Sequence, residues 1–598
     1  MTSAHSVDVF DRDAAKNVHS SGGPFGVWAP NAGRVDLVLG EERVSMTQAP
    51  GGWWSVDVPE AGPGTDYAFS LDGGPAFPDP RSPFQPHGVH GPSRTVDHSA
   101  FAWTDHGWRG GTPLSAALIY ELHVGTFTPE GTFEAVIDRL DSLAELGVTH
   151  IELLPVAEFP GERGWGYDGV DLFAPHHAYG GPEGLKRLVD AAHATGIGVI
   201  IDVVYNHLGP DGNYLGAFGP YFTNRYNTPW GQAVNYDDAG SDEVRNFVCD
   251  NACMWLTDYH GDGLRLDAVH AIFDSSAVHI LEELGGRVSD LEPRLGRRAF
   301  VIAESDLNNP RLVRSTEAGG YGLEAAWSDD FHHALHAVLT GERSGYYEDF
   351  GRLADLAAAL ERGYVYDGRY SRHRRRRHGR PTTGLSAHRL LGYLQNHDQV
   401  GNRAAGERSS ALMSTDRLRI GAALVLTAPF VPMLFAGEEW GASSPFLYFT
   451  DHVDPDLGRA VSEGRRREFA SFGWDPADVP DPQALSSFER SKLDWAEREK
   501  EPHASVLEWH RALVALRRRV PALTDGRFAR AAFDEDAGWL VVERGPVTVA
   551  VNLAERDQAV PVTSEPACVL LASGPYTRLD GAGHVELPPE SVAILGPA

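Results

Sequence analysis

Four stretches of this chain place ionisable side chains at the ends of apolar runs. IGVIIDVVYNH carries Asp202, Asn206 and His207, and DGLRLDAVH carries Arg265, Asp267 and His270. RAFVIAES ends at Glu304, and GYLQNHDQ ends with Asn396, His397 and Asp398. Successive strand side chains point to opposite faces, so Arg265 and Asp267 share one face of their run. Charges are rarely buried in apolar surroundings unless they are paired or put to use. One Asp or Asn after a strand reads as a turn former or a helix cap. Four polar groups after four strands are hard to explain as caps alone.

Glycoside hydrolysis needs this set of groups. A carboxylate attacks the anomeric carbon, and a carboxylic acid protonates the leaving oxygen. Retention of configuration requires the two carboxyl groups to stand about 5–5.5 Å apart. Neighbouring strands lie about 4.8 Å apart. Asp267 and Glu304, on consecutive strands, therefore meet the spacing of a nucleophile and an acid/base. Arg265 would hold Asp267 ionised, Glu304 needs a raised pKa, and Asp398 would bind sugar hydroxyls and steady an oxocarbenium-like transition state. His207, His270 and His397 sit beside these acids and read as sugar-hydroxyl partners rather than structural histidines. Trp165-Gly-Tyr-Asp168 offers aromatic faces for a sugar ring. The aromatic run between 212 and 231 reads equally as a subdomain's own core or as a stacking surface.

These groups must be positioned by a frame, and residues 101–519 supply one. Eight near-continuous apolar strands alternate with helical spacings, from ALIYELHVGTF through THIELLPV and LEAAWSDD to FVPMLFAGEEW. Strands apolar on both faces indicate a parallel sheet covered by helices, and eight βα units indicate a closed (β/α)8 barrel with chemistry at the carboxyl ends of its strands. FEAVIDRLDSLAELG reads as one helix stopped by glycine, and SDEVRNFVCDNACMWLTDYHG as a helix opened by a Ser-Asp-Glu cap. Residues 1–100 contain short β-branched and aromatic runs punctuated by Gly, Pro and Asn, as in a small β-sandwich. Residues 520–598 return to that texture as an antiparallel β-domain.

Composition narrows the function classes. With 52 Lys and Arg against 83 Asp and Glu, the 598-residue chain has a formal net charge of -31, which argues against a nucleic-acid or anionic-membrane partner and suits a neutral ligand. Hydrophobic residues make up 42%, enough for a sizeable core. Three cysteines without framework spacing, a polar opening segment unlike a signal peptide, and no long apolar run together predict a cytoplasmic protein. Cys249 and Cys253, one turn apart, read as buried thiols on one helix face rather than a zinc site. The run HRRRRH, 373–378, reads as a solvated loop before the seventh strand. No cofactor and no metal are expected, and the oligomeric state is open.

The four stretches, in this order, resemble the signatures of the α-amylase superfamily of glycoside hydrolases: DVVYNH, GLRLDAVHA, IAES and NHDQ. The resemblance implies that Asp267 is the nucleophile, Glu304 the acid/base and Asp398 the transition-state stabiliser. It makes Asp202, His207, Arg265 and His397 supporting residues, has Tyr167 stack at the cleavage subsite, and puts His270 toward the leaving group. The N-terminal sandwich is similar to the carbohydrate-binding-like module of branching, debranching and trehalose-forming members. With IYELHVGTFT and GEEWGASSPFLYFTDH it points to members that cut the α-1,4 bond next to the terminal trehalose of maltooligosyltrehalose. A branching or debranching enzyme is the alternative; a non-catalytic glucan-binding protein is remote, because both acids are present. In many amylases the asparagine of the first motif, here Asn206, helps to bind calcium. Carboxylates are sparse between 208 and 236, so no calcium site is expected.

Overall fold

The computed structural model describes residues 25–470, 475, 478–562, 568–580 and 583–597. The polar opening segment, and with it the expectation about a signal peptide, lies outside the described residues. Eight strands close into a parallel barrel: β1 (Ile119–Leu122), β2 (His150–Leu153), β3 (Gly198–Val203), β4 (Gly263–Leu266), β5 (Phe300–Ala303), β6 (Ala325–Trp327), β7 (Leu390–Gly392) and β8 (Val431–Phe435). β8 returns to β1, with Met433 opposite Ile119 and Phe435 opposite Glu121. Every residue of the eight strands is buried, as their unbroken apolar runs require.

The strand period of two sorts these residues. Ile119, Ile200, Phe300, Ile302, Trp327, Leu391 and Met433 pack together as one cluster inside the barrel. Tyr120, Ile151, Ile201, Leu264, Val301 and Leu434 face outward into the larger core beneath the helices. Each large apolar side chain so buried contributes about 1.5–3 kcal/mol. Gly263 is required by that filling: a Cβ there would stand 2.4 Å from the ring of Phe300, its register partner on β5.

The helices differ from the sequence expectations in detail. FEAVIDRLDSLAELG is two pieces, Phe133–Ile137 and α1 (Leu140–Leu146), ended by Gly147 at φ 100. α2 (Gly181–Ala194) follows β2. α3 (Ser241–Thr257) is entered through Gly240 at φ 80 with no side-chain cap, so Ser241 is no cap; Asp242 and Glu243 lie in its first turn and favour its positive end. On α3, Cys249 is buried but Cys253 is only half-buried. HRRRRH is not a plain loop. It forms the turn and return strand of a hairpin, Asp367–Ser371 with Arg376–Gly379, fixed by the Arg374–Asp306 ion pair at 2.9 Å and by Asp349, which accepts the amides of Arg372 and His373.

Before the barrel lie a three-stranded and a five-stranded antiparallel layer, with Val27, Leu37, Trp54 and Phe69 in the core between them. After it, five- and three-stranded antiparallel sheets bury Val541, Val560, Val585 and Leu595 together. Among the described residues no helix is long and apolar enough to cross a membrane.

Candidate active site

Arg265, fully buried on β4, organises the carboxyl ends of five strands. The register sets Asp202 of β3 and Ile302 of β5 on either side of it. Its Nη1 donates to Asp202 Oδ2 at 2.6 Å, Asp267 Oδ1 at 2.9 Å and the Tyr167 hydroxyl at 3.2 Å. Its Nη2 lies 3.5 Å from Glu304 Oε2. The guanidinium also lies 4.3 Å over the Trp327 ring of β6, a cation–π contact.

Asp267 and Glu304 are the next register pair beyond the strand ends, rather than strand residues as expected. Just after Asp267 the chain turns sharply at Ala268, φ 37, where a non-glycine residue is strained. The turn directs the Ala268 amide to Glu304 Oε2 at 2.5 Å. Asn206 donates its side-chain amide to both the carbonyl and Oδ2 of Asp267, at 2.8 and 2.7 Å. Asn206 Oδ1 in turn pairs with His207 Nδ1 at 2.5 Å.

A second chain of bonds enters from β1. Glu121 accepts from the amide of His397 at 3.0 Å and pairs with His397 Nδ1 at 2.5 Å. His397 Nε2 meets the Tyr167 hydroxyl at 2.8 Å, and Tyr167 donates to Asp202 at 2.7 Å. Burial opposes a charge on His397, but Glu121 and Asp398 outweigh it and raise its pKa to about 9. Burial pushes the Asp202 carboxyl up to about 6 against the pull of Arg265. Burial likewise lifts Glu304 well above the ordinary range, with Arg265 opposing and Asp267 reinforcing. A carboxyl that keeps its proton near neutrality can act as a general acid.

The remaining predicted residues sit around this centre. Asp398, 43% exposed, opens a short helix, His397–Gly401, capped by Asn396, whose Oδ1 accepts the amides of Asp398 and Gln399. Asn396 is therefore a helix cap after all. His207 lies beneath Trp230, their rings stacked at 4.5 Å, and Trp230 is 49% exposed. Of the other aromatics in that loop, Phe218 and Tyr221 are core, so both readings of the run hold, for different residues. Trp165 offers no sugar face: it is buried against Phe446 and donates to the Leu447 carbonyl. His270 lies in the turn Val269–Ala271, and among the described residues no hydrogen bond joins it to the cluster.

The chain is similar to known proteins over nearly its whole length. The α-amylase catalytic-domain model matches residues 97–225, and a domain of unknown function, DUF3459, matches 526–594. The malto-oligosyltrehalose trehalohydrolase of Rhizobium sp. (strain M-11) is 52% identical, covering 98% of this chain and 99% of its own. That of Arthrobacter ramosus is 51% identical, covering 96% and 99%. This chain belongs to the malto-oligosyltrehalose trehalohydrolase family. A solved structure described as a putative α-amylase from Salmonella typhimurium superposes with TM-score 0.88 at 40% identity, covering 96% of this chain and 97% of that one. A pullulanase from Anoxybacillus sp. LM18-11, complexed with maltotriose, shares the fold at TM-score 0.71 and 18% identity, covering 96% and 84%.

Sequence reasoning missed several residues of this trehalohydrolase-family site. Glu121 and Glu152 are acids inside the apolar runs IYELHV and HIELLP, the same sign that drew notice to Arg265. Asp329 opens α4 (Asp329–Thr340) just beyond β6. It accepts from the Tyr393 hydroxyl at 2.6 Å, and burial raises its pKa to about 6. One group of metal-type ligands lies together among the described residues: Glu158, His176 and His177. It reads as an ion pair. Glu158 holds His177 Nδ1 at 2.6 Å and raises that imidazole to about 9.

Proposed function

We propose that this chain hydrolyses the α-1,4-glucosidic bond next to the terminal trehalose of maltooligosyltrehalose, releasing trehalose with retention at the cleaved carbon. One observation carries the mechanism: a single guanidinium serves Asp267 from Nη1 and Glu304 from Nη2, at 2.9 and 3.5 Å. Two carboxyls bound to one guanidinium stand close together, as double displacement needs and as inversion, with a water between them, does not.

Asp267, oriented by Arg265 and Asn206, attacks the anomeric carbon. Glu304 gives its proton to the departing trehalose oxygen, leaving a covalent glycosyl–Asp267 ester. The Glu304 carboxylate then takes a proton from water as that water attacks the same carbon, and Asp267 leaves. Asp398, open to the cleft, accepts from sugar hydroxyls; Tyr167, Asp202, His207 and His397 keep the frame rigid; His270 lies on the leaving-group side. We assign residues 1–100 as a carbohydrate-binding-like module, 101–519 as the catalytic barrel and 520–598 as a C-terminal β-domain.

The test is product analysis on maltooligosyltrehalose beside a plain maltooligosaccharide. Release of trehalose with slow attack on the plain chain is expected. Formation of α-1,6 linkages would make the chain a branching enzyme instead.

A further inference from the structure

Glu152 has no part in that mechanism, yet it lies directly beneath it. It sits on β2 opposite Glu121 of β1 and Ile200 of β3, so its side chain points into the barrel with theirs. It is 1% exposed, and among the described residues neither of its carboxyl oxygens has a hydrogen-bond partner. One pleat further along β3 is Asp202, whose Oδ1 is also unpaired, and opposite it is Arg265, whose Nε and Nη2 make no hydrogen bond. The indole Nε1 of Trp327, below the guanidinium, is unpaired too.

These are complementary groups: three N–H donors, one carboxylate acceptor, and a carboxyl able to be either. An unpaired buried polar group is costly, and buried water making about three hydrogen bonds is the usual remedy. We propose that Glu152, as a neutral carboxylic acid, shares an internal water site with Arg265, Asp202 and Trp327 that holds the guanidinium in place, making Glu152 a positioning residue for the nucleophile. The groups facing Glu152 favour its neutral form. Burial disfavours a negative charge most, and Glu121, committed to His397, and Asp202 repel it further. Arg265, already shared by three carboxyl groups, opposes them without prevailing, so the carboxyl lies well above its ordinary range. The water accepts from Arg265 and Trp327 and donates to Asp202 Oδ1 and to the Glu152 carbonyl. An ionised Glu152 would instead pull Arg265 away from Asp267.

This rests on Asp267 being the nucleophile, and the test separates the two claims. Glu152→Gln copies the neutral acid and is expected to keep kcat within about threefold. Glu152→Leu removes the bridge and is expected to lower kcat by about 10–100-fold with KM little changed. The same leucine is expected to leave the melting temperature equal or higher, because it replaces a buried unpaired acid with an apolar side chain. Infrared spectra at about pH 8, well above the ordinary Glu pKa, are expected to contain a protonated-carboxyl C=O band that Glu152→Gln abolishes and Glu304→Gln leaves in place. Absence of that band, or full kcat in Glu152→Leu, overturns the proposal. A Glu152→Leu protein that does not fold leaves the infrared comparison to decide it. Were Asp267 not the nucleophile, Asp267→Asn would stay active while the band persisted.

Discussion

The two ends of β4 each carry a buried aspartate among histidine and arginine, and they behave in opposite ways. At the amino end Asp262, 1% exposed, is fully paired. It accepts from Trp108 Nε1 at 2.7 Å, His193 Nε2 at 2.9 Å and the Val199 amide at 2.9 Å, with Arg297 at 3.3 Å. Burial would raise its pKa, but His193, Arg297 and Trp108 outweigh burial and hold it below the ordinary value. At the carboxyl end Asp202 and Glu304 share one arginine, keep unpaired neighbours, and have raised pKa values. A saturated carboxylate is a structural anchor. An undersupplied one holds its proton to higher pH, and Glu304 can pass that proton on.

The comparison is broken most severely at the carboxyl end. Glu304→Gln is expected to lower kcat by about 10²–10⁴-fold with the melting temperature almost unchanged, read by steady-state kinetics beside thermal unfolding. Asp267→Asn, which removes the nucleophile, should give a comparable loss. Near wild-type turnover in either variant would sink the assignment. Asp262→Ala should do the reverse. Removing the acceptor shared by His193, Arg297 and Trp108 is expected to cost about 3–5 kcal/mol in denaturant unfolding, while the kcat of the folded fraction stays close to wild type.

pH separates the two ends more gently. The folded pKa of Asp202 is raised from 3.8 to about 6, so its contribution makes the fold less stable as pH rises through that window. Asp262 is lowered, so its contribution is present above the unfolded value and is lost as pH falls through the folded one. Asp202→Asn should therefore flatten the fall in melting temperature between about pH 4 and 6, and leave the acid-side loss intact. In kcat, the raised Glu304 pKa should appear as a basic limb, activity falling as Glu304 loses its proton. The smallest effect expected is at the rim. Trp230→Ala, removing an exposed ring stacked on His207, should raise KM by about 2–10-fold and leave the melting temperature alone, since such a ring pair is worth about 0.5–1.5 kcal/mol.

What was legible in the sequence was local. Alternation along GLRLDA placed Arg265 and Asp267 on one face, and eight apolar runs with helices between them implied the barrel and the ends at which Glu304 and Asp398 would emerge. These follow from strand period and chain direction, which adjacent residues determine. The partners of Arg265 were not legible, because Asp202, Tyr167, Glu304 and Trp327 come from different strands and loops and meet only when the sheet closes. Trp165 and Trp230 illustrate the same limit: both are aromatic residues in loops, and only packing makes one a core residue and the other a rim. Protonation was the least legible. Asp262, Asp202 and Glu152 are all acids within or beside apolar runs; the number of donors that tertiary structure brings to each decides which is anchored as an anion and which keeps its proton.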